Sequence, residues 1–208
     1  MTAIPMPDPV PAAGDLASDP ERRTWLIATG AMGGVAAVAT AVPFVSSFAP
    51  SERAKAMGAA VEVEIGDIPP SGLKTVEWRG KPVWIQRRTP EMLAALKGQE
   101  AQLADPQSAR DALPEPLRNA GRSLKPEVFV AIGICTHLGC SPTAVAAGSG
   151  NPSVGDDWHG GFFCPCHGST FDLAGRVFKN KPAPTNLEIP PHRYVGDGKL
   201  VIGESDLA

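Results

Sequence analysis

The sequence lacks cysteine outside one short window. All four Cys of the 208 residues lie between positions 135 and 166, which excludes the scattered disulfide framework of a small secreted domain. Aromatic side chains are also few (7 Phe, 4 Trp and 1 Tyr), whereas Gly and Pro each number 22. This composition favours a turn-rich β architecture over a helix bundle. The net charge of -3 is no reason to expect a nucleic-acid partner.

Charged residues are absent from Thr24 to Ser51, a run of 28 residues near the N-terminus. Its apolar part extends from Trp25 to about Ala49. A helix of about 20 such residues crosses about 30 Å of hydrocarbon. A buried core helix of a soluble protein rarely goes this long without a charge, so we predict one membrane-spanning helix.

Basic residues flank the apolar run on both sides, with Arg22 and Arg23 before it and Arg53 and Lys55 after it. The positive-inside rule is therefore nearly balanced. The paired arginines, followed by Thr, an aromatic residue and Leu, resemble a twin-arginine export signal. We interpret the N-terminus as cytoplasmic and the chain after residue 50 as periplasmic. The alternative is a cleaved signal, because Ala54-Lys55-Ala56 is A-x-A-like.

Composition divides the chain into four predicted segments. Residues 1–20 are rich in Pro, Ala, Asp and Gly and form a disordered cytoplasmic tail. Residues 21–49 are the signal and anchor. Residues 50–60 are small and polar and form a flexible tether. Residues 61–208 form the periplasmic domain, the head.

The apolar pattern of the head has period two from its start, since Val61, Val63 and Ile65 alternate with Glu and Gly. This alternation predicts a half-buried strand. A short helix is predicted at 91–97 with Thr89 as its N-cap, and the stretch 99–125 is predicted as loop with helical fragments. Further strands are predicted at 75–78, 83–86, 128–132, 176–179, 186–189, 194–195 and 200–202.

The cysteines share two short boxes with two of the four histidines. The candidate metal ligands are Cys135 and His137 of box one, with Cys164 and His167 of box two. Two thiolates and two imidazoles suit a tetrahedral zinc or a [2Fe–2S] cluster with two Cys on one iron and two His on the other. A zinc finger usually takes both Cys from one knuckle and both His from a helix. Here each box contributes one of each, which favours the cluster.

Two cysteines, Cys140 and Cys166, remain. As additional zinc ligands they would bring the total to six, too many for one tetrahedral ion. As a disulfide they would join the two boxes, and an exported protein allows that bond. A catalytic Cys–His nucleophile is the other alternative, but two matched boxes disfavour it.

The boxes Cys135-Thr136-His137-Leu138-Gly139-Cys140 and Cys164-Pro165-Cys166-His167-Gly168-Ser169 resemble those of the Rieske iron–sulfur subunits of cytochrome bc1 and b6f complexes. The likeness extends over anchor, tether and head, including 160–163, 171–176 and 182–187. Rieske ferredoxins and ring-hydroxylating oxygenases characteristically lack the second Cys pair, so the quinol-oxidising type is favoured. The resemblance implies an all-β fold: an antiparallel β-sandwich head with a smaller cluster-binding subdomain at about 133–185, preceded by one N-terminal transmembrane helix.

The resemblance also implies residue roles. Cys135 and Cys164 would ligate the inner iron of one [2Fe–2S] cluster, and His137 and His167 the outer, solvent-facing iron. His167 would hydrogen-bond a quinol hydroxyl at the cytochrome b surface and accept its proton. The head would then deliver the electron to cytochrome c1. The implied setting is a dimeric quinol–cytochrome c oxidoreductase in the bacterial inner membrane, with the head in the periplasm.

Further implied roles concern the surroundings of the cluster. Cys140 and Cys166 would form a disulfide, and Ser169 would tune the cluster through its hydroxyl. The quinol site and the shielding of the cluster would involve Leu138, Gly139, Pro182, Ala183 and Pro184. One alternative function is the small Rieske subunit of an exported molybdenum oxidase, and another is a structural Cys2His2 zinc protein.

The sequence departs from the family pattern in two places. Phe171 stands where higher-potential members have a Tyr whose hydroxyl bonds a cysteine sulfur. The stretch 141–163 between the boxes is longer than in many relatives, and we predict a surface loop there. His159 in this stretch and His192 further on are interpreted as ordinary, non-ligating histidines.

Overall fold

The structure is a computed structural model, and it describes residues 20–51 and 58–206. The chain forms two compact units, residues 1–52 and 53–208. The predicted tail lies outside the described residues except for Pro20. Most of the predicted tether, including Ala54-Lys55-Ala56, also lies outside them.

The described part of the first unit, residues 20–51, contains one helix, α1 (Pro20–Ser46), of 27 residues. It is long and apolar enough to cross a membrane, and none of its described residues is buried against protein. Its hydroxyl groups bond within the helix: Thr29 donates to Trp25 O (2.8 Å) and Thr40 to Ala36 O (2.9 Å). Such bonding removes the cost of placing a hydroxyl in hydrocarbon.

The second unit includes the head, and its described residues form three antiparallel sheets of three strands each. The first has the order β1-β9-β8, the second β2-β3-β4 and the third β5-β6-β7. A short helix, α2 (Pro90–Ala95), follows β3, and the Thr89 hydroxyl caps it by accepting from Met92 N (3.3 Å). The strands are β1 (Val61–Glu64), β2 (Leu73–Trp78), β3 (Lys81–Arg87), β4 (Val128–Ile132), β5 (Thr143–Val145), β6 (Gly161–Cys164), β7 (Ser169–Phe171), β8 (His192–Val195) and β9 (Lys199–Ile202).

Strands β3 and β4 carry a hydrophobic core on each face. Val83 and Ile85 point to one side, where they pack with residues of β1 and β9 such as Leu200. Trp84 points to the other side and stacks on Phe162 of β6 at 4.9 Å. Side chains alternate across a strand, so two cores on one sheet explain why every residue of β4 is buried. The second core is the floor beneath both cysteine boxes.

The prediction of an all-β head after one apolar helix is confirmed, as are the first strand, the 75–86 hairpin, α2 and β4. Arg79 and Gly80 connect the hairpin with φ of 53° and 71°, the positive values that two-residue hairpin turns prefer. The predicted strand at 176–179 is confirmed only as two isolated β-bridges, Val177 with Phe171 and Phe178 with Leu103, and the predicted strand at 186–189 is wrong. Asn186 Oδ1 accepts from Val177 N (2.9 Å), so a side chain bonds the backbone where a neighbouring strand would.

A buried ion pair stabilises the turn that follows β7. Asp172 and Arg176 are both 0% exposed, and Arg176 Nε donates to Asp172 Oδ2 at 2.7 Å. The other carboxylate oxygen, Oδ1, accepts from the backbone N–H groups of Ala174 (2.9 Å) and Arg176 (2.8 Å). The carboxylate therefore balances a buried charge and fixes the backbone of the turn.

Two more buried arginines connect this turn to the remainder of the head. Arg88, the residue after β3, donates to Leu173 O (3.3 Å), and Arg122 donates to Ala174 O (3.0 Å). Burial lowers the pKa of Arg88 to about 10, while the charge of Asp172 opposes that shift. Burial also lowers the pKa of Arg122. Arg88 remains a cation at neutral pH, so its buried charge needs the carboxylate of Asp172 as a counter-charge.

His192 makes the stability of the head depend on pH. Burial lowers its pKa from 6.5, and its contact with Pro190 O opposes the shift. The unfolded chain therefore binds a proton at higher pH than the folded chain does. The stability from neutral His192 is complete above about pH 6.5 and is lost as pH falls toward the lower folded pKa.

When the pH is lowered from 7.5 to 5.5, we expect the free energy of unfolding to fall less in His192→Asn than in the wild type. Denaturant titration at each pH measures this fall. His159→Asn removes an exposed histidine and should behave like the wild type. Parallel losses in all three proteins would contradict this role of His192.

Candidate metal centre

Box one is a tight loop after β4. Cys135 N donates to Cys140 O (2.7 Å), which joins the two ends of the box. Inside it, Gly139 N donates to Cys135 O (3.1 Å). Gly139 has a φ of 80°, a left-handed value that favours glycine. The loop therefore has one closed conformation, with Leu138 at its tip.

Box two is the hairpin loop between β6 and β7. Cys164 ends β6 and pairs with Ser169, the first residue of β7. Gly168 N donates to Cys164 O (3.0 Å), and Gly168 has a φ of 76°. The same backbone bond, from a left-handed glycine to a cysteine four residues earlier, thus closes both boxes. Each box presents its Cys and its His from an equivalent turn.

The predicted ligands come together in two pairs although the boxes are far apart in sequence: the two cysteines share one core cluster, and the two histidine rings are in contact. Cys135 and Cys164 are free thiols, 2% and 1% exposed. His137 is half-buried and His167 is exposed, and their ring centroids lie 4.7 Å apart with the planes at 88°. Burial raises the pKa of the Cys135 thiol, Cys164 raises it further, and a hydrogen bond with Ser169 opposes the shift.

The donor groups fit a metal cluster. Nδ1 of His137 is buried and has no hydrogen-bond partner among the residues that the structure describes. A buried imidazole nitrogen without a partner is unfavourable, and metal ligation would satisfy it. Two buried thiols and two imidazoles nearer the solvent are the mixed donor set of a Rieske-type [2Fe–2S] centre.

Cys140 and Cys166 form a disulfide across the two boxes, with Cα atoms 6.7 Å apart. The predicted bond is thus confirmed. The sulfur of Cys164 lies within 4.8 Å of both disulfide sulfurs, so the three sulfur atoms are as close together as the ligands of a metal ion. A disulfide has no thiolate with which to bind metal. Of these three cysteines, Cys164 is therefore the one that can ligate a metal ion.

A third loop, the lid (residues 182–185), covers the boxes. Ala183 is 4% exposed, and its backbone N–H donates to Ser169 Oγ of box two (3.0 Å). Thr136 Oγ1 of box one donates to Thr185 O of the lid (2.7 Å). Pro182 and Pro184 remain exposed. The role of Thr136 in attaching the lid was not predicted, because no residue pattern indicates which carbonyl a hydroxyl will reach.

Comparison with known proteins identifies the family. Residues 110–191 match the Rieske [2Fe-2S] domain. The ubiquinol-cytochrome c reductase iron-sulfur subunit of Allochromatium vinosum is 55% identical over 183 residues, which cover 88% of each chain. The chain belongs to the Rieske iron–sulfur subunits of ubiquinol–cytochrome c reductases. The corresponding subunit of Bradyrhizobium diazoefficiens is 40% identical over 189 residues (90% of this chain and 97% of the relative). The mitochondrial Rieske subunit of Candida albicans is 42% identical over 174 residues (84% and 72%).

The family membership confirms the predicted Rieske fold and [2Fe–2S] cofactor. It also disfavours the zinc and molybdenum-oxidase alternatives. Residues 14–51 of this Rieske subunit match a second family model, described as "Ubiquitinol-cytochrome C reductase Fe-S subunit TAT signal". That match includes the paired arginines Arg22 and Arg23 and the whole of α1.

Phe171 offers a test of cluster tuning. It is 0% exposed and belongs to the core that contains Cys135 and Cys164. We expect Phe171→Tyr to raise the midpoint potential, because a hydroxyl near a ligand sulfur stabilises the more negative, reduced state. A hydrogen bond to a charged group contributes about 1.5 kcal/mol, and in a one-electron couple this corresponds to roughly 60 mV.

Redox titration followed by electron paramagnetic resonance measures this shift. Phe178→Tyr is the control, because Phe178 packs on Trp158 instead, and its potential should equal that of the wild type. An unchanged or lowered potential in Phe171→Tyr would show that the new hydroxyl does not bond the sulfur.

Proposed function

We propose that this chain is the electron-transfer subunit of a quinol–cytochrome c oxidoreductase. It takes one electron, coupled to a proton, from quinol at the surface of cytochrome b and delivers the electron to cytochrome c1. One observation carries the proposal: two buried free thiols and two imidazoles nearer the surface meet between loops that a disulfide joins. The relatives of the same family are named as subunits of that enzyme.

We assign the inner iron to Cys135 and Cys164, and the outer iron to His137 and His167. The gradient of exposure supports this division, because the thiols are buried and His167 is exposed. When bound, the cluster supplies one-electron exchange at a potential that histidine ligation raises above that of all-cysteine clusters. The thiols and the second core keep water from the inner side.

His167 is the residue we assign to quinol. Its exposed ring can accept a hydrogen bond from a quinol hydroxyl and then the proton of that hydroxyl. Leu138, at the tip of box one, is 70% exposed. Together with the exposed Gly139, Pro182 and Pro184, it would form an apolar rim that fits the cytochrome b surface. Ala183 is buried and would shield the centre instead.

The remaining segments would place the head in the periplasm. We propose that residues 1–20 are a cytoplasmic tail, 21–49 a retained single-pass anchor in the inner membrane and 50–60 a tether. The head, 61–208, would contain the cluster-binding subdomain at about 133–185 and would belong to a dimeric complex. The apolar helix α1, the match to an export signal and the disulfide support this arrangement.

Electron paramagnetic resonance of dithionite-reduced membranes tests the proposal. The wild type should give the signal of a mixed Cys/His cluster. Cys164→Ser and His167→Ser should lose that signal, whereas His159→Ser should keep it because His159 is exposed in the loop between the boxes. A silent, zinc-containing wild type would contradict the function. A His167→Ser variant with an unchanged signal would contradict the ligand assignment.

A further inference from the structure

A cavity of about 340 Å³ opens on the surface of the head. Its base is buried and includes Gln86 of β3 (5% exposed), Val145 of β5 (7%) and Leu173 (4%). Its rim is exposed and includes Ala147 and His159, both from the stretch between the two boxes. Among the described residues that line it, none is a predicted metal ligand or part of the lid. The cavity is therefore separate from the metal centre.

Contacts of the fold hold the walls of the cavity in place. Val145 pairs with Gly161 of β6, and its carbonyl oxygen accepts from the indole N–H of Trp158 (2.9 Å). Leu173 O accepts from the buried Arg88 at 3.3 Å. Sites for small molecules are largely preformed in this way. The space is therefore a feature of the folded head.

Gln86 borders this cavity with an amide oxygen that has no partner. Its Oε1 is buried and makes no hydrogen bond with any residue that the structure describes. A buried polar group without a partner lowers the stability of a fold. The last torsion of a glutamine side chain has a broad range, so the amide can turn either of its polar atoms toward the cavity. A bound molecule can then supply the missing partner.

The lining defines the chemistry of that molecule. Among the described residues around the cavity, none is Asp, Glu, Lys or Arg, so a charged ligand would lose hydration without gaining a counter-charge. Val145 and Leu173 offer aliphatic surface, and Met92 of α2 offers a thioether, which packs favourably against aromatic rings. An apolar cavity of about 150 Å³ is large enough for benzene, so this one has room for a substituted ring. A hydroxyl both donates and accepts, which suits either polar atom of the Gln86 amide.

We propose that this cavity is a binding site for a neutral, single-ring phenol, whose ring contacts Met92 and the aliphatic wall and whose hydroxyl bonds the Gln86 amide. The site lies apart from the exposed surface to which we assign quinol, and binding there does not require the cluster. Ordered water is the alternative occupant. It would satisfy the amide but would gain nothing from the apolar walls.

The test uses the full chain in detergent, isotopically labelled at its methionine methyl groups, with p-cresol as the probe. Met92 is the only methionine of the head, because the others stand at positions 1, 6, 32 and 57. The Met92 methyl signal is assigned from its absence in Met92→Leu. In the wild type this signal should move as p-cresol is added and then saturate. An unmoved Met92 signal, as expected if only water enters the cavity, would overturn the proposal.

Gln86→Leu tests the hydrogen bond to the ligand. It removes the amide at a similar side-chain volume and should weaken the binding of p-cresol about fivefold, the effect of one neutral hydrogen bond. Toluene, which lacks the hydroxyl, should bind Gln86→Leu at least as well as the wild type. Gln107→Leu makes the same change at an exposed glutamine outside the cavity, and it should bind both probes like the wild type. Equal affinity of Gln86→Leu and the wild type for p-cresol would equally overturn the proposal.

The melting temperature without probe distinguishes a binding role of Gln86 from a structural one. Removing a buried amide that has no partner should leave the melting temperature unchanged or raised, whereas removing a structural hydrogen bond would lower it. Gln86→Met repeats the comparison if Gln86→Leu does not fold, because a methionine side chain adapts to irregular spaces. A lowered melting temperature in both variants would show that the amide supports the fold, contrary to the proposal.

Discussion

Replacing Asp172 with asparagine is expected to destabilise the head by about 3–5 kcal/mol, the range for removing one partner of a buried ion pair. Arg176 would keep its charge at 0% exposure with no carboxylate in contact. Arg88 would lose the main opposite charge that counters its burial, and Arg122 would keep its ion pair with Asp111 but lose the further contribution of Asp172. An asparagine whose oxygen kept the two backbone N–H groups that Asp172 Oδ1 now holds would turn its NH2 donor toward the Arg176 Nε donor, which bonds Oδ2 in the wild type.

Denaturant unfolding of the purified protein measures this loss. Asp67→Asn is the control, since it removes a carboxylate from a solvent-exposed pair with Lys74 and should leave the unfolding midpoint unchanged. The double variant Asp172→Asn/Arg176→Met should be less destabilised than Asp172→Asn alone, because it no longer leaves the charge of Arg176 buried without its carboxylate. Equal stability of Asp172→Asn and wild type would refute this account of the turn.

The second large effect concerns the disulfide. The double variant Cys140→Ser/Cys166→Ser should have a free energy of unfolding about 3 kcal/mol lower than that of the wild type, because the disulfide closes a loop with a sequence separation of 26. It should also lose its cluster signal faster on incubation, because the two boxes then lose the covalent link between them. Comparing the variant with reduced and oxidised wild type separates the effect of losing the disulfide from that of the serine substitutions.

Reduced wild type should behave like the double variant in both measurements. A single variant, Cys166→Ser, leaves Cys140 as a thiol near Cys164, so the double variant is the cleaner comparison. If the double variant keeps wild-type stability and signal lifetime, the disulfide does not hold the boxes together.

The chemistry of the centre was predictable because metal ligation restricts residue types and spacing. Cys and His in two matched boxes satisfy this restriction, so the sequence indicates Cys135, His137, Cys164 and His167 as candidate ligands without any knowledge of the fold. Strand β1 was predictable for a different reason: one of its faces is buried, so Val61 and Val63 alternate with Glu. The glycines that close the two boxes also appear within the motifs.

The support around the centre was not predictable, because it depends on contacts between distant segments. Strands β5 to β7 have only three or four residues each, too short for a periodic pattern. Asn186 and Arg122 resemble ordinary polar residues of a loop in the sequence, and they are buried because carbonyl groups more than 50 positions away accept from them. The wrong strand at 186–189 has the same origin.

The common wall formed by β3 and β4 has a consequence for export. Each of these strands contributes side chains to both cores. Unfolding of one core would therefore also destabilise the other. Partly folded forms of the head should therefore be scarce, and amide hydrogens of β4 should exchange with solvent only when the whole head opens. A twin-arginine route carries cargo that has already folded, and a molecule with few intermediate states would satisfy that requirement in a single step.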